Sequence, residues 1–234
     1  MNIVNKLIPL NYAIYAQDLR GHGKSEGLKN YVDSMDQFIE DLKKFYDIIT
    51  EKSAKLPIFM LGHSFGSLII VYFAKKYENL LNGIIIAAMG TRTGGKSNGF
   101  MRVIAKIFSK LAPRINVNPG LIPELLSHDI DEIEDYKNDP LVNYKNITAR
   151  FGYIMIKSFR LVTSFINELK LPMLMQCGSE DHLIYGAEEI KDMFKMDDKV
   201  IKIYDGLYYE VYNESEIYRK EVLADLSLWL EEHL

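Results

Sequence analysis

Residues Gly62-His63-Ser64-Phe65-Gly66 read G-x-S-x-G, a serine with a glycine two positions away on either side. An apolar run, Ile58 to Leu61, precedes it and a helical pattern, Ser64 to Tyr77, follows, so the pentapeptide belongs on a sharp strand-to-helix turn. Such a turn needs flanking residues without bulk and holds the serine in a strained, exposed conformation. The helix N-terminus behind it favours developing negative charge, and the Phe65 N–H is expected to point at an oxyanion. The chemistry this predicts is nucleophilic attack by Ser64 on a carbonyl.

A nucleophilic serine requires a base and an acid that orients the base, and on this kind of turn they follow in the order Ser, Asp or Glu, His. Asp181 comes just after the apolar run Met173 to Gly178, at the carboxyl edge where parallel sheets place their ligand sites. Its neighbours Glu180 and His182 should point elsewhere, and His182 reads as a surface loop residue. For the base, the loop after Val200 to Tyr204 reads Asp205-Gly206-Leu207-Tyr208-Tyr209-Glu210, with no histidine. His22 lies in an early loop, His63 inside the turn, His128 in a helical insertion and His233 at the C-terminus. Tyr209 is a poor substitute, because a phenol with a pKa of about 10 keeps its proton at neutral pH.

The elements that must position these groups alternate between strand and helix, the pattern of a parallel sheet covered on both faces. Asn11 to Asp18 is expected to be a strand, and Leu19 to Asn30 a loop. A capping-box pattern at Ser34 to Gln37 opens a helix with Phe38, Leu42, Phe45 and Ile49 toward the sheet. Gly83 to Ala88 reads as the next strand. From Thr91 to Lys170 only helical patches are expected: Phe100 to Leu111, Leu121 to Ser127 and Ile147 to Phe165. Strand and helix resume with Pro172 to Gly178, Ala187 to Met196, Val200 to Tyr204 and a last helix, Ser215 to His233, whose buried stripe is Val222, Leu226, Trp229 and Leu230.

Composition narrows the field. The chain has 234 residues, 48% hydrophobic and 26% charged, which is globular and not disordered. Its 28 basic and 32 acidic residues give a net charge of -4, so no nucleic-acid partner is expected. A single cysteine, Cys177, cannot form an internal disulfide, which fits a reduced, cytoplasmic chain. No run approaches the roughly 20 apolar residues of a membrane span, and the N-terminus is no signal peptide. No cofactor and no metal are expected.

Taken together, the chain resembles the monoacylglycerol lipase and lysophospholipase branch of the α/β-hydrolases, within the serine aminopeptidase S33-like hydrolases. The resemblance rests on Asp18-Leu19-Arg20-Gly21-His22-Gly23-Lys24-Ser25-Glu26-Gly27, the G-x-S-x-G turn, Asn138-Asp139-Pro140-Leu141, Gly178-Ser179-Glu180-Asp181 and Tyr204-Asp205-Gly206-Leu207-Tyr208. It implies an α/β-hydrolase fold with a mostly parallel central sheet, its core formed by residues 1–90 and 171–234 and a helical cap by residues 91–170. It further implies Ser64 as nucleophile, Asp181 as acid, Phe65 as oxyanion donor and an acyl-chain pocket under the cap for a monoacylglycerol or lysophospholipid. Transient contact of the cap with a membrane surface would accompany such a substrate.

Two departures stand out. Tyr209 occupies the family's histidine position, and Met1 to Leu10 resembles the helix that follows the family's first three strands and its His-Gly oxyanion loop. Loss of the third of those strands should leave a gap between Asn11 to Asp18 and Pro57 to Gly62, or force the two to pair. Beside the esterase reading therefore stand a catalytically silent acyl-binding protein and the product of a truncated gene.

Overall fold

The structure is a computed structural model that describes residues 2–52, 56–93 and 99–234. In chain order its elements are α1 (Asn2–Leu7), α2 (Met35–Lys52), β1 (Phe59–His63), α3 (Phe65–Tyr77), β2 (Gly83–Ala87), β3 (Arg92–Thr93), α4 (Gly99–Leu111) and β4 (Asn116–Val117). There follow α5 (Ile130–Asn138), β5 (Ile147–Thr148), α6 (Ala149–Val162), β6 (Met173–Gly178), β7 (Ile184–Tyr185), α7 (Ala187–Lys191), β8 (Lys199–Tyr204) and α8 (Glu216–Glu232).

The central sheet has the order β1-β2-β6-β8 with every pair parallel. Strands β2 and β6 are buried along their whole length, as parallel strands covered on both faces must be. Their side chains alternate between two apolar clusters. Ile84, Ile86, Met173 and Met175 enter the one that contains α2, α3 and α6, whereas Ile85, Ala87 and Leu174 enter the one that contains α8 and Leu7 of α1. The sheet is thus the middle layer of three. The stripe expected on the last helix is buried in full.

The strand expected at Asn11–Asp18 is corrected: the chain there is not part of any sheet. Tyr12 and Ile14 are partly buried between exposed neighbours and pack on the same cluster as Phe59 and Leu61, so the side-chain alternation of a strand survives. What is missing is a partner. The Ile58 carbonyl accepts the Asn82 N–H and the Ser64 N–H donates to the Ala87 carbonyl, so the even-numbered groups of β1 face β2. The backbone groups of Phe59, Leu61 and His63 must then face the other way, where no strand lies among the described residues. A cleft of about 300 Å³ beside Ile3, Leu61 and His63 borders this edge, and another of about 450 Å³ lies beside Gln17, Arg20 and Phe38.

Smaller corrections have local causes. The buried face of α2 is Met35, Phe38 and Ile39, with Leu42 and Tyr46 beside them, so Phe45 and Ile49 lie at its margin, half-buried. The capping box is displaced: Gln37 Oε1 accepts the N–H of Asp33, one residue ahead of Ser34. Between Leu121 and Ser127 there is only a single 3-10 turn, Pro123–Leu125, while α5 was not expected at all. It is short and buries only Ile133, too little to show a period, but Asp129 caps it by accepting the N–H of Asp131. Helix α7 ends at Lys191, well before Met196. The described residues from Thr91 to Lys170, where no strand was expected, also include three two-residue strands, β3, β4 and β5, and none of them joins the central sheet.

Candidate active site

Ser64 stands between β1 and α3 with φ 53° and ψ -115°, a conformation that side-chain-bearing residues rarely adopt. Strain of this kind costs about 1–3 kcal/mol and persists only where surroundings enforce it. Here they do. The Ser64 N–H donates to the Ala87 carbonyl at 2.9 Å. Ser67 is fully buried one turn on; its Oγ lies 2.7 Å from the carbonyls of Gly62 and Ala87 and accepts the Ala87 N–H at 3.1 Å. One hydroxyl therefore fastens the turn to the end of β2, a role the sequence did not announce.

The two glycines of the motif are not equivalent. A Cβ on Gly62 would come within 2.4 Å of the Gly66 carbonyl oxygen, so no larger residue fits. A Cβ on Gly66 would meet nothing within 4 Å, which removes the steric need expected there. Phe65 begins α3, where the first N–H groups have no partner within the helix, and its ring packs edge-on against Phe38 and Phe151.

Asp181 lies beyond β6, 9% exposed, and its Oδ1 accepts the N–H groups of Leu183 and Ile184, each at 2.8 Å. Burial raises its pKa, while the two N–H groups and the nearby His63 and His182 act in the opposite direction. Glu180 and His182 are exposed, as expected, with the His182 ring 5.4 Å from that of Tyr208.

Tyr209 reaches the serine: its phenol comes close enough to interact with the Ser64 side chain. Burial first, then the charge of Glu210, drives its pKa well above the ordinary tyrosine value, and Asp181 adds to this. The phenol stays neutral, so Ser64 faces an O–H group and not an imidazole lone pair. His63 is engaged by the loop that carries Tyr209. Its Nε2 lies 3.0 Å from the Tyr209 carbonyl, its Nδ1 3.7 Å from Glu210 Oε1, and its ring stands edge-on to Tyr209 at 4.6 Å. A histidine adjacent to the serine in sequence thus holds the loop opposite.

Tyr136 of α5 comes close enough to feel Glu210, and burial with that charge pushes its pKa up to about 12. His22 is satisfied by the Arg20 carbonyl at 2.9 Å and packs on Phe151. Among the described residues no group of His, Cys, Asp and Glu is arranged to hold a metal ion, and no helix is long and apolar enough to cross a membrane.

With this geometry in hand, comparison with known proteins is informative. The family model described as serine aminopeptidase, S33 matches residues 1–216. The monoacylglycerol lipase of Mycolicibacterium smegmatis is 30% identical over 94% of this chain and 79% of its own length. Human monoglyceride lipase is 26% identical over 97% and 76%. The crystal structure of a Paleococcus ferrophilus monoacylglycerol lipase superposes with a TM-score of 0.88 at 25% identity, covering 99% of this chain and 88% of that one.

Proposed function

We propose, from the premise that this chain belongs to the serine aminopeptidase S33 family and has the α/β-hydrolase fold, that Ser64 is the nucleophile of a carboxylic-ester hydrolase site for monoacyl lipids. The observation that carries the reading is the strained backbone of Ser64 at the head of α3. Ser64 Oγ attacks the ester carbonyl, the Phe65 N–H receives the developing oxyanion, and loss of the alcohol leaves an acyl-serine for water to cleave. Asp181 is the acid that would orient a base, and Tyr209 stands in the base's place. The substrate class, a monoacylglycerol or lysophospholipid, is taken from the relatives' names. No cofactor enters this chemistry.

Residues 91–170 serve as the cap over the acyl chain. On α4, Val103, Ile107, Phe108 and Leu111 are exposed beside Lys106 and Lys110, a face suited to brief contact with an anionic lipid surface. Co-sedimentation with phosphatidylglycerol vesicles, lost in Phe108→Glu, tests that contact.

Without an imidazole the site should be slow, since removing the base of such a triad costs up to about a million-fold in turnover. Labelling of Ser64 by a fluorophosphonate probe tests the assignment. The parent chain should label barely above background, Tyr209→His faster by orders of magnitude, and Tyr209→His with Ser64→Ala not at all. A folded Tyr209→His chain that does not label would overturn the nucleophile assignment; retained lipid binding would then leave an acyl-binding protein.

A further inference from the structure

Behind Tyr209 lies a fully buried carboxylate, Glu214, that the chemistry above does not use. Its Oε1 accepts the Tyr208 N–H at 2.8 Å and lies 3.0 Å from His128 Nδ1; its Oε2 accepts the His128 N–H at 3.0 Å. Ser127 Oγ is 3.3 Å from the same Oε2 and donates to the Asn213 carbonyl at 2.8 Å. The Glu210 N–H donates to the Leu126 carbonyl at 2.8 Å, and the His128 ring lies over Tyr208 with centroids 3.7 Å apart. An unpaired carboxylate in this position would be costly to bury, whereas N–H donors from two distant stretches of chain satisfy it.

The consequence falls on residue 209. The N–H of Tyr208, one residue ahead of it, is held by Glu214, and the peptide after it is held at both ends, the Glu210 N–H by Leu126 and the Tyr209 carbonyl by His63. Two of these three anchors lead to residues 126–129, which follow the 3-10 turn Pro123–Leu125 and lead into α5. We infer that Glu214 is a positioning residue: its carboxylate locks Ser127 and His128 to the loop 205–213 and so sets where side chain 209 stands relative to Ser64. A displacement of residues 126–129 would then be transmitted to that side chain. The inference rests on the reading of Ser64 given above, but its first test does not need activity.

In the parent chain, Glu214→Gln keeps the shape of the side chain and replaces one acceptor oxygen with a donor that clashes with N–H groups. Hydrogen exchange should show the Tyr208, Glu210 and His128 amides losing protection while those of α8 keep theirs. Unchanged exchange at these three amides would overturn the inference. In Tyr209→His, Glu214→Gln should lower kcat for a p-nitrophenyl ester by about 100-fold with KM nearly constant, the signature of a reacting group misplaced by about 1 Å. A proportional change in KM, or no change in either constant, would reduce Glu214 to a structural role. His128→Ala, which removes only the half-exposed ring, should give a smaller loss of the same kind and guards against a Glu214 variant that fails to fold. Absence of turnover in Tyr209→His, with the exchange result as expected, would refute the nucleophile and leave the lock standing.

Discussion

The two flanks of the central sheet are built to different standards of completeness. On the β6 and β8 flank, Gln176 sits in the middle of a buried strand yet uses its amide fully. Its Nε2 donates to Tyr204 Oη at 2.6 Å and to the Val222 carbonyl at 2.9 Å, and its Oε1 accepts from Tyr212 at 2.7 Å. On the β1 flank, a strand-like segment and a free edge lie on the same apolar layer without a ladder between them. Apolar side chains bury themselves locally, but backbone groups need a neighbour at the right distance, so alternation alone does not make a strand.

Proline substitution tests this contrast most severely. Leu174→Pro in β6 removes a donor from between two strands, and the chain should fail to give a cooperative thermal transition at 25 °C or above. Leu61→Pro removes an N–H that faces no strand, so it should fold with reduced stability. Equal damage at both sites would mean that the edge of β1 is not free. A smaller effect is expected from Gln176→Leu, which strands the hydroxyl of Tyr212 and leaves that of Tyr204 with Asp225 alone; urea unfolding should show a loss of roughly 1–3 kcal/mol. Amide exchange refines the comparison residue by residue: Phe59, Leu61 and His63 should exchange much faster than Met60 and Gly62, with no such alternation in β6.

The smallest effect concerns Asp181. Its pKa is raised in the folded chain, so folding takes up a proton between the ordinary carboxylate value and the raised one, and stability falls as pH rises through that window. Asp181→Asn retains an oxygen for the N–H groups of Leu183 and Ile184 and removes the buried charge. Thermal melts should show the variant slightly more stable than the parent at neutral pH and level with it at low pH. A parent that gains stability over the same rise in pH would reverse the sign.

Much of this was legible in the residue order. The Gly62 to Gly66 spacing identified a turn whose strained serine is found in place, and the apolar runs of β2, β6 and β8 and the stripe of α8 located four main elements. These are signals of local sequence, where spacing along the chain and position in space coincide. Other features depend on residues that meet only after folding: Ser67 fastening the turn to β2, His63 turning to the Tyr209 carbonyl, and Glu214 joining Ser127 and His128 to Tyr208. The sequence by itself determined a parallel three-layer fold and a serine on a strained strand-to-helix turn. Tertiary structure decided that Asn11 to Asp18 goes unpaired and that the phenol of Tyr209 lies against Ser64, because hydrogen-bond partners far apart in the chain are chosen by packing and leave no periodic trace in the sequence.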